Sequence, residues 1–290
     1  MQGGFIDFAE DSWSPNGKIL IVQIPNEACY LIDISRQESK VKELAHNYED
    51  VIKWSPDSKY YIAIVRKYIV SDRTAKPPIE HSLTIEHSLI LSSSEGKQIK
   101  HIFKTEWHSY LTDGYRDSKS VSWLPDSHGF ITYTDDKEVA KIMLDKEEFE
   151  TIRSNNHTVV IDNINISPEG NRLIYSVIDR DNMECRLIVI DLKSNTILAE
   201  KIVGEVVERV IRYEGEIDEI IWLSNDMVAI LREEKLYNVH VPSMQMELVL
   251  EGITGISYAE DLRLMTAGAY KKIYTIDYAH NGKVDLIYTR

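Results

Sequence analysis

Trp13-Ser14-Pro15-Asn16-Gly17-Lys18 is followed by a near copy, Trp54-Ser55-Pro56-Asp57-Ser58-Lys59, and by another, Trp123-Leu124-Pro125-Asp126-Ser127-His128. Ile166-Ser167-Pro168-Glu169-Gly170-Asn171 is a weaker fourth copy. Trp222-Leu223-Ser224-Asn225-Asp226-Met227 and Tyr258-Ala259-Glu260-Asp261-Leu262-Arg263 are eroded versions that close the series. Successive copies start 41, 69, 43, 56 and 36 residues apart. A repeat of tens of residues decides architecture before any single side chain is weighed.

Each unit reads the same way. In Ser14-Pro15-Asn16-Gly17 the proline presets φ at the second position of a turn and the glycine supplies positive φ at the fourth. The apolar, β-branched run Lys18-Ile19-Leu20-Ile21-Val22-Gln23-Ile24 follows, then the breaker Pro25-Asn26-Glu27. Ala28-Cys29-Tyr30-Leu31-Ile32-Asp33-Ile34 is a further strand, and residues 39–44 are the last. The fourth and sixth units repeat this order at 172–191 and 262–288. A helix over 137–149 competes weakly, where the third unit needs its outer strands. Apolar runs of five to seven residues predict strands buried on both faces, as when each sheet stacks between two neighbours.

Six units of four strands predict an all-β, six-bladed β-propeller of four-stranded antiparallel blades. An open stack would leave apolar end faces, so the ring is expected to close by blade packing without strand exchange. The whole chain then forms a single domain with blades near 8–46, 47–104, 105–154, 155–203, 204–252 and 253–290. A two-sheet sandwich joined to a second β domain is the competing architecture.

The phrase Trp-Ser-Pro-Asp followed by an apolar strand, with Ile273-Tyr274-Thr275-Ile276-Asp277 later in the unit, resembles the WD-like propeller repeats of TolB-type proteins. It also resembles the N-terminal propellers of prolyl-oligopeptidase-type peptidases. The resemblance spans nearly the whole chain, good in three units, fair in the fourth and poor in the last two. It implies a fold and little chemistry, because its residues build turns and blade cores. The α/β domain that accompanies the propeller in TolB, and the hydrolase domain of the peptidases, have no counterpart in this sequence.

Composition bounds the partners. The chain has 290 residues, 43% of them hydrophobic, with 33 Lys and Arg against 47 Asp and Glu, a formal charge of −14. Such a surface repels phosphate backbones, which argues against nucleic acid. No run reaches the ~18 apolar residues of a membrane span, and Met1-Gln2-Gly3-Gly4-Phe5 lacks the basic and apolar regions of a signal peptide. The cytoplasm is the expected compartment, with export expected only if a targeting segment has been removed. The repeat places Cys29 and Cys185 in strands three blades apart, as buried free thiols. A monomer is expected.

Sequence motifs for chemistry are missing. There is no Gly-x-Ser-x-Gly elbow, no phosphate loop and no His-Glu-x-x-His or Cys-x-x-Cys spacing. No cofactor, metal or catalytic residue is predicted. The tandem echo Ile79-Glu80-His81-Ser82-Leu83 and Ile85-Glu86-His87-Ser88-Leu89 reads as a local duplication ahead of a strand. On a straight strand His81 and His87 would stand ~20 Å apart, too far to share an ion.

Two insertions fall on one face of the predicted ring, at 66–78 and 105–119. Long loops on a rigid scaffold are where binding residues gather. Tyr68, Arg73, Trp107, His108, Tyr110, Tyr115 and Arg116 would set aromatic and basic side chains on an acidic body, a composition suited to a protein or peptide partner. The expectation is a non-enzymatic binding scaffold that uses residues 66–82 and 105–119. A third, acidic insertion covers 204–216. The alternative is a channel-sited hydrolase or lyase acting on peptide or carbohydrate. Asp50, Asp162 and Asp218 stand four residues before the repeat marker, with Glu219 beside them, where they could ring the channel mouth. Ala9, Lys119 and Thr254 occupy the other three positions, so that ring is incomplete.

Overall fold

The computed structural model describes residues 13–23, 29–35, 39–44, 48–70, 83–108, 120–134, 138–146, 148–155, 159–208, 213–214, 217–259 and 262–289. Almost all regular structure in them is strand. The first sheet holds β1 (Ile19–Gln23), β2 (Cys29–Asp33) and β3 (Lys40–Glu43). The second holds β4 (Tyr48–Trp54), β5 (Tyr60–Val70), β6 (Leu83–Ser93) and β7 (Gln98–His108). The third holds β8 (Val121–Trp123), β9 (Gly129–Tyr133), β10 (Glu138–Met143) and β11 (Phe149–Ser154). In the stretch that competed for a helix, the described residues 138–143 are strand and a turn follows before β11.

β12 (Val159–Ile166), β13 (Arg172–Asp179), β14 (Glu184–Asp191) and β15 (Thr196–Glu205) form the fourth sheet. A short ribbon, β16 (Val207–Glu208) with β17 (Tyr213–Glu214), follows. The fifth sheet is β18 (Glu219–Ser224), β19 (Met227–Arg232), β20 (Lys235–His240) and β21 (Gln245–Glu251). The sixth is β22 (Ile253–Ala259), β23 (Leu264–Ala269), β24 (Lys272–Asp277) and β25 (Lys283–Thr289). In each sheet every strand pairs with its sequence neighbour, as in an antiparallel meander.

The chain divides into two compact units: Met1–Phe130 with Ile142–Phe149, and Ile131–Lys141 with Glu150–Arg290. In the first unit, successive residues of β5 go to different cores. Tyr61 and Ala63 join Ile21, Leu31 and Trp54, whereas Ile62 joins Leu89, Leu91, Trp123 and Phe130. In the second unit, Leu173, Tyr175 and Val177 of β13 pack with Ile131 and Tyr133, while Ile174 and Ile178 pack with Ile220 and Trp222. Val228 and Ile230 of β19 share that second core, and Ala229 and Leu231 face Ile253 and Met265. Strands covered on both sides explain the unbroken apolar runs. Cys29 and Cys185 are buried and not joined in a disulfide, and burial pushes the Cys29 thiol up to about 11.

The repeated phrase forms the predicted turn. Gly17 N, Ser58 N, Ser127 N and Gly170 N donate to the carbonyls three residues earlier, at 2.8 to 2.9 Å. The fourth residue is left-handed each time, with φ of 65°, 61°, 61° and 73°. The first serine closes the hairpin base. Ser55 N donates to Tyr60 O, and Tyr60 N donates back to Ser55 Oγ. Asp57 Oδ1 accepts from Ser55 Oγ at 2.7 Å and Lys59 N at 3.1 Å.

Two features of the phrase have no local purpose and link neighbouring sheets. Asn16 N donates to Ser58 Oγ at 3.1 Å, and Asp57 N to Ser127 Oγ at 3.0 Å, so each turn is tied to the hydroxyl of the next. The indole N–H groups of the third and fifth copies do likewise. Trp123 Nε1 donates to Lys53 O and Trp222 Nε1 to Asn165 O, both at 3.2 Å. The fourth copy has Ile166 and Gly170 at these two positions, residues without a side-chain donor or acceptor. Its sheet meets the third through the apolar core around Tyr175 and through the Asn195 amide, which donates to Glu150 Oε1 at 3.3 Å.

Candidate functional site: the extended second sheet

The second sheet departs from the others in length. β5, β6 and β7 have eleven residues each, whereas most strands elsewhere have four to eight. β4 pairs with β5 only as far as Val65. Beyond that row, residues 66–70 run on beside 83–87, and 84–87 beside 105–108. The protruding ladder is five rows long, about 17 Å at the usual rise per residue.

This differs from the expected loops. Residues 66–70 and 105–108 continue their strands. Tyr68-Ile69-Val70 and Thr105-Glu106-Trp107 are aromatic and β-branched sequence, and the second copy of the tandem echo supplies a partner strand in register. Tyr68 pairs with Ile85, and Ile85 with Trp107, so the three residues stand in one row. The adjoining rows are Lys67, Glu86 and Glu106, and then Arg66, His87 and Thr105. His108 ends β7 opposite Thr84. Thus Tyr68, Trp107 and His108 belong to one protruding ladder. Arg73, Tyr110, Tyr115 and Arg116, like His81, lie outside the described residues.

The corresponding connections in the second unit are short and tied down. Between β13 and β14, Asp179 accepts from Asp181 N, Asn182 N and the Asn182 amide at 2.9 to 3.1 Å. Hydrogen bonds from Asn182, with the nearby Arg186 guanidinium, hold the Asp179 carboxyl below the usual range. Arg186 also contacts Glu184 and Glu200, at 2.9 and 3.4 Å. Between β19 and β20 only Glu233-Glu234 intervene, and between β23 and β24 only Tyr270-Lys271.

The carboxylates proposed for a channel mouth lie on or beside first strands. Asp50 is in β4 opposite Ile64, and Asp162 is in β12 opposite Ser176, just before a bulge. Asp218 is exposed and its N–H donates to Leu231 O, while Glu219 is half-buried in β18 opposite Leu231. Among the described residues, no three His, Cys, Asp or Glu side chains are grouped to hold a metal ion. No helix of the described residues is long and apolar enough to cross a membrane.

Sequence reading also missed the linking serines. The signal was a non-glycine at the left-handed turn position, where Ser58 and Ser127 replace the Gly of the first copy. A left-handed residue with a side chain is uncommon, and at Ser58 and Ser127 the hydroxyl is what the preceding sheet's turn uses.

No protein-family model and no curated protein matches this sequence. Solved structures do. The β-propeller domain of Cps50 (Swd1) from Myceliophteria thermophila is similar at 11% identity and a TM-score of 0.58, covering 95% of this chain and 83% of that one. TolB from Acinetobacter baumannii is similar at 13% identity and a TM-score of 0.50, covering 84% of this chain and 54% of that one. Prolyl oligopeptidase B from Galerina marginata is similar at 12% identity and a TM-score of 0.58, covering 98% of this chain and 44% of that one. This chain therefore spans about half the length of the TolB and peptidase chains. At such identities the likeness is one of fold: an all-β chain of four-stranded sheets of the TolB-like and WD-like β-propeller kind.

Proposed function

We propose that this chain is a non-enzymatic binding module, a six-bladed propeller closed by blade packing. It docks a protein or peptide on the face that carries residues 66–82 and 105–119. The observation behind this reading is the protruding ladder of β5, β6 and β7, in contrast to the tight connections of the fourth, fifth and sixth sheets. A rigid ladder lowers the ordering cost of recognition, because its backbone is held before the partner arrives. Tyr68, Trp107, His108 and the neighbouring Arg73, Tyr110, Tyr115 and Arg116 supply the residue types enriched in interface centres. A cytoplasmic setting accords with two buried cysteines that are not joined in a disulfide.

The test is affinity capture from native cells with wild-type chain and with a chain lacking residues 109–119. Partners held by wild type and lost by the deletion support the reading. An unchanged set of partners, with circular dichroism showing both chains folded, overturns it.

A further inference from the structure

The sixth sheet presents an exposed edge of its own, made of residues other than those of the ladder. β25 is the last strand of its sheet, so alternate N–H and C=O groups face away from β24. All seven of its residues are exposed, and Val284, Leu286, Ile287 and Tyr288 are large and apolar. Among the residues whose burial is described, outer strands elsewhere are sparser: Val41 in β3, Ile99 in β7, Phe149 in β11, Leu248 in β21, and three exposed apolar residues along the ten of β15. Clustered exposed apolar residues on an edge strand mark a place for pairing.

The charge at one end of this edge identifies the occupant. Ile273 pairs with Tyr288, and Lys272 with Thr289. The adjoining turn is Tyr270-Lys271, with Tyr270 80% exposed and Lys271 Nζ 4.9 Å from its ring centroid. Neither Lys271 nor Lys272 has a carboxylate partner among the described residues. The sheet's own carboxylates are engaged further along, Asp285 by Lys283 and Asp277 by His280. The acidic turn Glu233-Glu234 borders β22, where Glu234 O accepts from Ile253 N, two strands and roughly 10 Å from Lys272 in β24. Two adjacent lysines without a carboxylate partner among the described residues, beside an exposed apolar edge, form a local cationic spot that matches a partner both extended and acidic.

We propose that the β25 edge accepts an acidic extended peptide as a fifth strand. Its apolar residues lie along Leu286 and Tyr288, and its carboxylates meet Lys271 and Lys272. Main-chain hydrogen bonds would give affinity, and the lysines would give polarity and salt dependence. A second copy of the chain fits less well. Two bodies of the same large negative charge repel. The register shift after Ile273, which leaves Ile287 unpaired, bends the edge against flat self-pairing.

A fluorescein-labelled decapeptide of alternating Glu and Val tests this by anisotropy, beside its Lys-Val counterpart. The Glu-Val peptide is expected to bind at least tenfold more tightly, to weaken in high salt, and to lose binding to a Leu286→Asp variant. The double variant Lys271→Glu, Lys272→Glu is expected to reverse the preference. Every altered residue is exposed, and circular dichroism verifies that the variants fold. Equal binding of both peptides, indifference to the charge reversal, or a Leu286-dependent dimer of the free protein in sedimentation overturns the proposal. None of these variants touches residues 66–82 or 105–119, so the two readings fail separately.

Discussion

Replacing Ser127 by alanine removes the hydroxyl that accepts the Asp57 N–H at 3.0 Å. Ser127 is 6% exposed, so the hydroxyl is enclosed, whereas Asp57 is exposed and its amide can turn to water. The cost is therefore that of one net hydrogen bond, about 1 kcal/mol, rather than that of a stranded donor. Position 127 is left-handed, with φ of 61°. Alanine keeps that strain, whereas glycine relieves it by ~1 kcal/mol. The expected order of stability is wild type near Ser127→Gly, with Ser127→Ala lower by about 1 kcal/mol. Urea unfolding followed by tryptophan fluorescence reads this as a drop of ~0.3 M in midpoint, for a slope near 3 kcal/mol/M. An alanine variant as stable as wild type would refute the idea that the fourth turn residue ties one sheet to the next.

Trp222→Phe removes the indole donor to Asn165 O and is expected to cost about 1 kcal/mol in urea unfolding followed by circular dichroism; Trp13→Phe, at a half-exposed site, should cost far less in the same measurement. Ile174→Ala empties a fully buried position between two sheets and should cost 2 to 5 kcal/mol, roughly, by chemical denaturation. Burial raises the Tyr278 phenol to about 12, and the phenol donates to Asn238 Oδ1 at 2.8 Å. Its folded pKa lies above the ordinary value near ~10. The stability it contributes is thus complete below that value and is lost as pH rises through 12. Tyr278→Phe should flatten the fall in melting temperature between pH 10 and 12; an unchanged slope contradicts the linkage.

The sheets were legible because turn chemistry and strand periodicity are local. Pro15 and Gly17 specify a turn wherever they stand, and Leu173 to Ile178 read as a strand buried on both sides. The links between sheets were not legible. Ser58 accepts from a residue 42 positions earlier, a relation that no window of sequence contains. The strand character of residues 66–70 was missed for a similar reason. Arg66-Lys67-Tyr68 is ambiguous alone and becomes strand because residues 85–87, in the second copy of the echo, pair with it. The exposure of Tyr270 beside Lys271 and Lys272 also depended on knowing that β23 and β24 meet in a two-residue turn.

The most direct test of the proposed binding face is photocrosslinking in native cells. A benzophenone amino acid placed at Trp107 is compared with one at Leu198, an exposed residue on the outer strand of the fourth sheet. The account predicts a discrete protein adduct from position 107 that is absent from position 198 and lost when residues 109–119 are removed. No adduct at 107, or the same adducts from both positions, would contradict it.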